Sequence, residues 1–131
     1  MSLTRHRIRE IAFQTLFAMN ANHQISALQL FKVLIKGNDE NYPEYLTQLV
    51  DGVDHHKEEL DDKISHYLKS DWSIDRIAKT DLIILQIAFY EIDYVKAVPN
   101  KVAVNEALQL AKEYSDDRSK RFINGVLSNE F

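Results

Sequence analysis

The sequence predicts an all-α protein, a compact bundle of six or seven helices. Three observations lead there. Only three glycines and two prolines punctuate 131 residues, too few for the turn density of a β protein. No segment sustains apolar–polar alternation at period two. Apolar residues recur instead at helical spacing in each long segment.

The first helix is expected from about Thr4 to Asn20. At 100° per residue, Ile8, Ile11, Ala12, Thr15 and Met19 share a core face. Arg5 and Arg9 lie on one edge of it and Arg7 on the far side. Phe13 and Phe17 fall opposite the core stripe with His6 and Glu10, so they are either a second buried side or an exposed aromatic pair. A second helix opens at Ser26, where Ser26-Ala-Leu-Gln29 has capping-box form, and stops at Gly37.

Pro43 suits the first residue of a third helix. Its stripe, Leu46, Leu49, Val50, Val53, Leu60, Ile64 and Tyr67, runs for about 25 residues and is interrupted only near Lys57. A break at Ser70-Asp71-Trp72-Ser73 and a short turn over Ile74 to Ile77 precede a fourth long helix, about Thr80 to Tyr94. That helix is apolar almost all round, with Leu82, Ile83, Ile84, Leu85, Ile87, Ala88, Phe89 and Ile92, which suits the middle of a bundle. Pro99 starts the next helix, to about Tyr114, and a last one covers roughly Asp117 to Asn129. No repeat, low-complexity tract or linker divides the chain, so residues 1–131 read as a single domain.

Composition excludes several classes of function. There is no cysteine, hence no disulfide, zinc–thiolate site or thiol nucleophile, and a reducing cytoplasm fits. No apolar run approaches the ~20 residues that span a bilayer, and Gln86 breaks the longest. The arginines near the start have no apolar segment behind them, unlike a secretory signal. A net charge of −4 argues against a protein that coats nucleic acid without selectivity. No phosphate-binding glycine loop, nucleophile elbow or H-E-x-x-H pair is present. Asp51, His55 and Glu59 have a spacing that suits a metal, but the crowd of charges around them reads as a solvated helix face. Glu91, Asn105 and Glu106 suit caps or bridges between helices better than catalysis. The expectation is a binding protein with no enzymatic activity, cofactor or metal.

Against the acidic background, positive charge is gathered in two places. Arg5, His6, Arg7 and Arg9 open the first helix. Arg118, Lys120 and Arg121 precede Phe122 near the start of the last. The helix macrodipole disfavours cations there by a few tenths of a kcal/mol each. Basic side chains beside free backbone N–H groups make an anion site instead. Two such clusters, each near a phenylalanine, point to the phosphates and bases of a nucleic acid.

The residues also resemble a known family. Arg5-x-Arg7-x-Arg9-Glu10-x-Ala12-x-Gln14-x-Leu16-Phe17 is similar to the N-terminal signature of the NusB transcription antitermination family. The likeness continues through Leu49-Val50-x-Gly52-Val53, Trp72 and Asp75-Arg76-Ile77, then Leu85-x-Ile87-Ala88-x-Tyr90-Glu91-Ile92. It goes on in Val98-Pro99-x-x-Val102-x-Val104-Asn105-Glu106-Ala107 and Leu110-Ala111-Lys112, and ends in Lys120-Arg121-Phe122-Ile123-Asn124-Gly125-Val126-Leu127. The ordered set covers essentially the whole chain.

The resemblance implies an all-α protein that binds the single-stranded boxA element of nascent ribosomal RNA. It would do so jointly with NusE, a small-subunit ribosomal protein, in an RNA polymerase complex that suppresses premature termination. It implies RNA contacts from Arg5, His6, Arg7, Arg9, Lys120, Arg121 and Phe122. It implies a NusE-facing surface around Phe17, Asp75, Arg76 and Leu82. This chain departs from the common pattern at His6 and Gln86, each where the family more often has Arg, and at Phe17, where it often has Tyr. Two other readings are a protein-interacting adaptor or homodimer whose arginines meet carboxylates, and the N-terminal fragment of an rRNA cytosine methyltransferase.

Overall fold

The computed structural model describes residues 3–35 and 42–129. Among them are seven α-helices, one 3₁₀ turn and no strand. The helices are α1 (Arg5–Ala21), α2 (Ala27–Leu34), α3 (Glu44–His55), α4 (Lys57–His66), α5 (Lys79–Tyr94), α6 (Asn100–Tyr114) and α7 (Asp117–Ser128). The 3₁₀ turn, Ile74–Arg76, lies between α4 and α5. The chain divides into two compact units, Met1–His55 and His56–Phe131.

In the N-terminal unit α1 packs on both α2 and α3. Thr4 caps α1, its hydroxyl accepting from the Arg7 N–H at 3.0 Å. Ser26 and Gln29 form the reciprocal capping box that their spacing predicts, with bonds of 3.2 and 2.9 Å. Helix α2 is described as far as Leu34, and the expected stop at Gly37 lies outside the described residues. Pro43 stands just before α3, its carbonyl accepting from Leu46 and Thr47. The expected core face of α1 is buried at Ile8, Ile11, Ala12 and Thr15, whereas Met19 is half-buried near the helix end. Phe13 and Leu16 are buried as well. Of the two readings of the phenylalanine pair, each residue takes one: Phe13 is core, and Phe17 is 41% exposed.

The long third helix of the sequence reading is two helices. Residue His56, with φ −100° and ψ 15°, ends the run of α-helical geometry between α3 and α4. The apolar stripe nevertheless holds on either side, with Leu46, Leu49, Val50 and Val53 buried in one unit and Leu60 and Ile64 in the other.

In the C-terminal unit α5 contacts α4, α6 and α7. Every residue from Asp81 to Glu91 is buried, including Leu85, Ile87, Ala88 and Phe89. A helix with neighbours on all sides must be apolar all round. Its buried polar groups need partners. Gln86 meets this by donating to Asp61 of α4.

Candidate nucleic-acid interface

The α1 segment places its basic residues differently. Arg5 is exposed and its guanidinium lies over the Tyr45 ring of α3, 4.0 Å from the centroid. Such a stack holds the charge at the surface and leaves N–H donors free to meet an anion. Arg7 lies 3.6 Å and His6 3.9 Å from the Glu10 carboxylate. Arg9 is only 3% exposed, so its guanidinium is held inside the protein and not presented to solvent. Sharing a wheel edge with Arg5 does not give Arg9 the same environment, because Arg5 sits at the helix mouth and Arg9 one turn further in.

The second segment is built on α7. Asp116 caps the helix, accepting from the Ser119 N–H at 2.8 Å. That backbone hydrogen bond, with lesser help from the Ser119 hydroxyl and Arg118, holds the Asp116 carboxyl below its ordinary value. The Ser119 hydroxyl donates to Asp81 of α5 at 3.0 Å and accepts from Ser115 at 2.8 Å. The start of α7 is thereby tied to the central helix. Asp116 and Asp117 satisfy the macrodipole at the cap and first position, and the cations follow from Arg118 onward in a helix that starts where the sequence placed it.

Lys120 and Arg121 follow on the exposed side, with Phe122 half-buried beside them. Neither cation forms an ion pair with a described residue. On one side of this turn a hollow of about 270 Å³ is lined by Leu108, Asp117, Asn124 and both cations. On the other side, Phe122 lies 6.4 Å from the Trp72 ring at an interplanar angle of 32°. Trp72 is 46% exposed and sits in a turn closed by its N–H donating to the Lys69 carbonyl.

Residues expected at a protein partner fare unevenly. Phe17 is exposed with its ring 6.1 Å from Phe13, and Asp75 and Arg76 are exposed on the 3₁₀ turn. Leu82 is not available for contact: at 6% exposure it belongs to the core, because it lies in the first turn of a helix buried on every side. Of the residues with metal-like spacing, Glu59 is engaged by Tyr94 at 2.5 Å and His56 at 3.2 Å. The sequence reading gave no site role to Trp72, which the fold leaves exposed beside Phe122. The available signal was a lone tryptophan in a break between helices, where burial has no claim on it.

The comparisons with known proteins agree with this architecture. The family model described as "NusB family" matches residues 6–130. A transcription antitermination protein NusB of Levilactobacillus brevis is 55% identical over 132 residues, covering 98% of this chain and 93% of that protein. Its name is that of a transcription factor and not an enzyme, in line with the sequence reading. The crystallised NusB of T. maritima superimposes with a TM-score of 0.83 at 29% identity, covering 98% of this chain and 91% of the other. A structure of antitermination factors NusB and NusE in complex with dsRNA matches with a TM-score of 0.79 at 29% identity, covering 97% and 96%. Helical architecture, ordered motifs and matches along nearly the full length converge: the chain belongs to the NusB family.

Proposed function

We propose that this protein is a cytoplasmic transcription antitermination factor that binds single-stranded boxA RNA of nascent rRNA transcripts together with NusE. The observation that carries the reading is the α7 turn, where Lys120 and Arg121 stand without an ion-pair partner among the described residues beside the aromatic rings of Phe122 and Trp72. Cations that hold the backbone, next to rings on which bases stack, are the means by which single strands are bound. In α1, Arg5 and Arg7 add surface cations, with His6 beside them. The buried Arg9 supports that helix from within. Support for a joint assembly with NusE comes from the related complex of NusB and NusE with dsRNA. Phe17 on α1 and the Asp75–Arg76 turn are the exposed groups proposed to meet NusE, whose assembly with RNA polymerase then suppresses termination.

The test is binding of a boxA-like single strand with and without NusE across a salt series. Four cations, Arg5, Arg7, Lys120 and Arg121, give a log K against log[salt] slope of roughly −2.8, about a fiftyfold loss between 50 and 200 mM. NusE should tighten the complex. RNA binding that ignores salt would assign the arginines to carboxylates of a protein partner or a second copy.

A further inference from the structure

Three helix ends meet at one short hydrogen-bonded chain in the C-terminal unit. Ser115 closes α6, Ser119 lies in the first turn of α7 and Asp81 in the first turn of α5. The Ser115 hydroxyl donates to the Ser119 oxygen, and the Ser119 hydroxyl donates to one oxygen of Asp81. We propose that Asp81 is a positioning residue for RNA binding, one that touches no RNA and acts by fixing the start of α7 and, with it, Lys120 and Arg121. The proposal rests on the RNA-binding reading above and assigns that site its internal support.

Two observations carry it. The first is that the carboxylate is kept at a cost to the fold. Asp81 is buried, its second oxygen has no hydrogen-bond partner among the described residues, and the Asp116 charge opposes its own. A buried polar atom left unpaired is rare in native proteins and calls for a reason. Stability does not supply one, because burial penalises the charged form of this group. What the carboxylate does engage is Ser119, the residue directly ahead of the two cations of the α7 turn.

The second is direction. The buried face of α7, with Ile123, Val126 and Leu127, is held by apolar contact, which has no preferred direction. Hydrogen bonds do have one. A carboxylate only accepts, so Asp81 claims the Ser119 proton and leaves the Ser119 oxygen to accept from Ser115. The Ser119 N–H is committed as well, to the Asp116 carboxylate. Ser119 is thereby fixed from three sides, by the end of α6, by the helix cap and by α5. Binding groups work when the residues behind them lock their geometry, and a shift at Ser119 carries Lys120 and Arg121 with it.

The test is titration of the full chain with a labelled boxA-like single strand, each variant first shown to be folded by circular dichroism. Asp81→Ala and Ser119→Ala should each weaken binding on the order of tenfold, a usual size for coupling between separate sites. Asp81→Asn keeps the acceptor and Ser119→Thr keeps the hydroxyl, so both should bind nearly as wild type does. The double alanine variant should be no weaker than either single one, because the two residues act through one bond. In a chain already carrying Lys120→Ala and Arg121→Ala, Asp81→Ala should add nothing. In an Arg5→Ala chain it should still cost its full factor. Alanine variants that bind RNA as wild type does would overturn the positioning role and spare the RNA-binding reading. A loss that persists undiminished without Lys120 and Arg121 would assign Asp81 to the fold at large and overturn it equally. A wild-type chain that binds no RNA would remove both readings together.

Discussion

The side-chain amide of Gln86, at 3% exposure, donates a 2.7 Å hydrogen bond to the Asp61 carboxylate and so ties the middle of α5 to α4. A hydrogen bond to a charged acceptor contributes ~1.5–3 kcal/mol, and a buried group stripped of its partner loses a similar amount. Gln86→Met keeps the length and volume but removes the donor. It should lower unfolding free energy by ~1–3 kcal/mol, read from the urea midpoint at unchanged slope.

Asp81 offers the opposite sign. Burial raises its carboxyl above the ordinary 3.8, against the hydrogen bond from Ser119, and the nearby Asp116 charge adds to the rise. One of its oxygens is buried with no hydrogen-bond partner among the described residues. A carboxyl raised in the folded state favours folding fully below its unfolded value, and that contribution is lost as pH rises through the folded value. At neutral pH the charge is therefore a burden on the fold. Asp81→Asn, whose amide oxygen still accepts from Ser119, should raise the urea midpoint at pH 7. The gap from wild type should close as pH falls below about 4.

Tyr94 should ionise well above the ordinary tyrosine range. Its hydroxyl donates to Glu59, and that bond, reinforced by desolvation and by the Glu59 charge, pushes its pKa up to about 12. The same bond is the first cause holding Glu59 below 4.5. Stability from the raised tyrosine is complete below about 10 and lost as pH climbs through the folded value. An ultraviolet titration of the six tyrosines should show a phase near 12. Tyr94→Phe should delete it, and Glu59→Gln should bring it back toward about 10.

Two arginine-cluster variants should separate cleanly. Lys120→Ala, at an exposed cation, should flatten the RNA salt slope by about 0.7 and leave stability nearly unchanged. Arg9→Ala removes a buried guanidinium together with its packed methylenes, and should cost ~2 kcal/mol or more of stability. A stable Arg9→Ala protein with a flattened slope would return Arg9 to the RNA surface.

What was legible in the sequence was what local chemistry dictates. Ser26 and Gln29 announce a cap because the reciprocal bonds need only that spacing. The circumference of α5 announces full burial because no polar face is left for solvent. The α3–α4 break was hidden because neither Gly nor Pro marks it, and the stripe resumes in phase. Arg9 and Leu82 were misplaced for one shared reason: a motif names residues that act together without saying which face solvent and which hold the others in place. The pairing of Trp72 with Phe122 was not visible, since the two lie 50 positions apart along the chain.

The complete enclosure of α5 also sets how the protein breathes. Amide protons of a frayed or surface helix exchange with solvent through small local openings. Those between Ile84 and Phe89 have no such route, because every side chain around them is buried. They exchange only when the C-terminal unit opens as a whole, so their deuterium uptake is a direct clock of that unit's global stability.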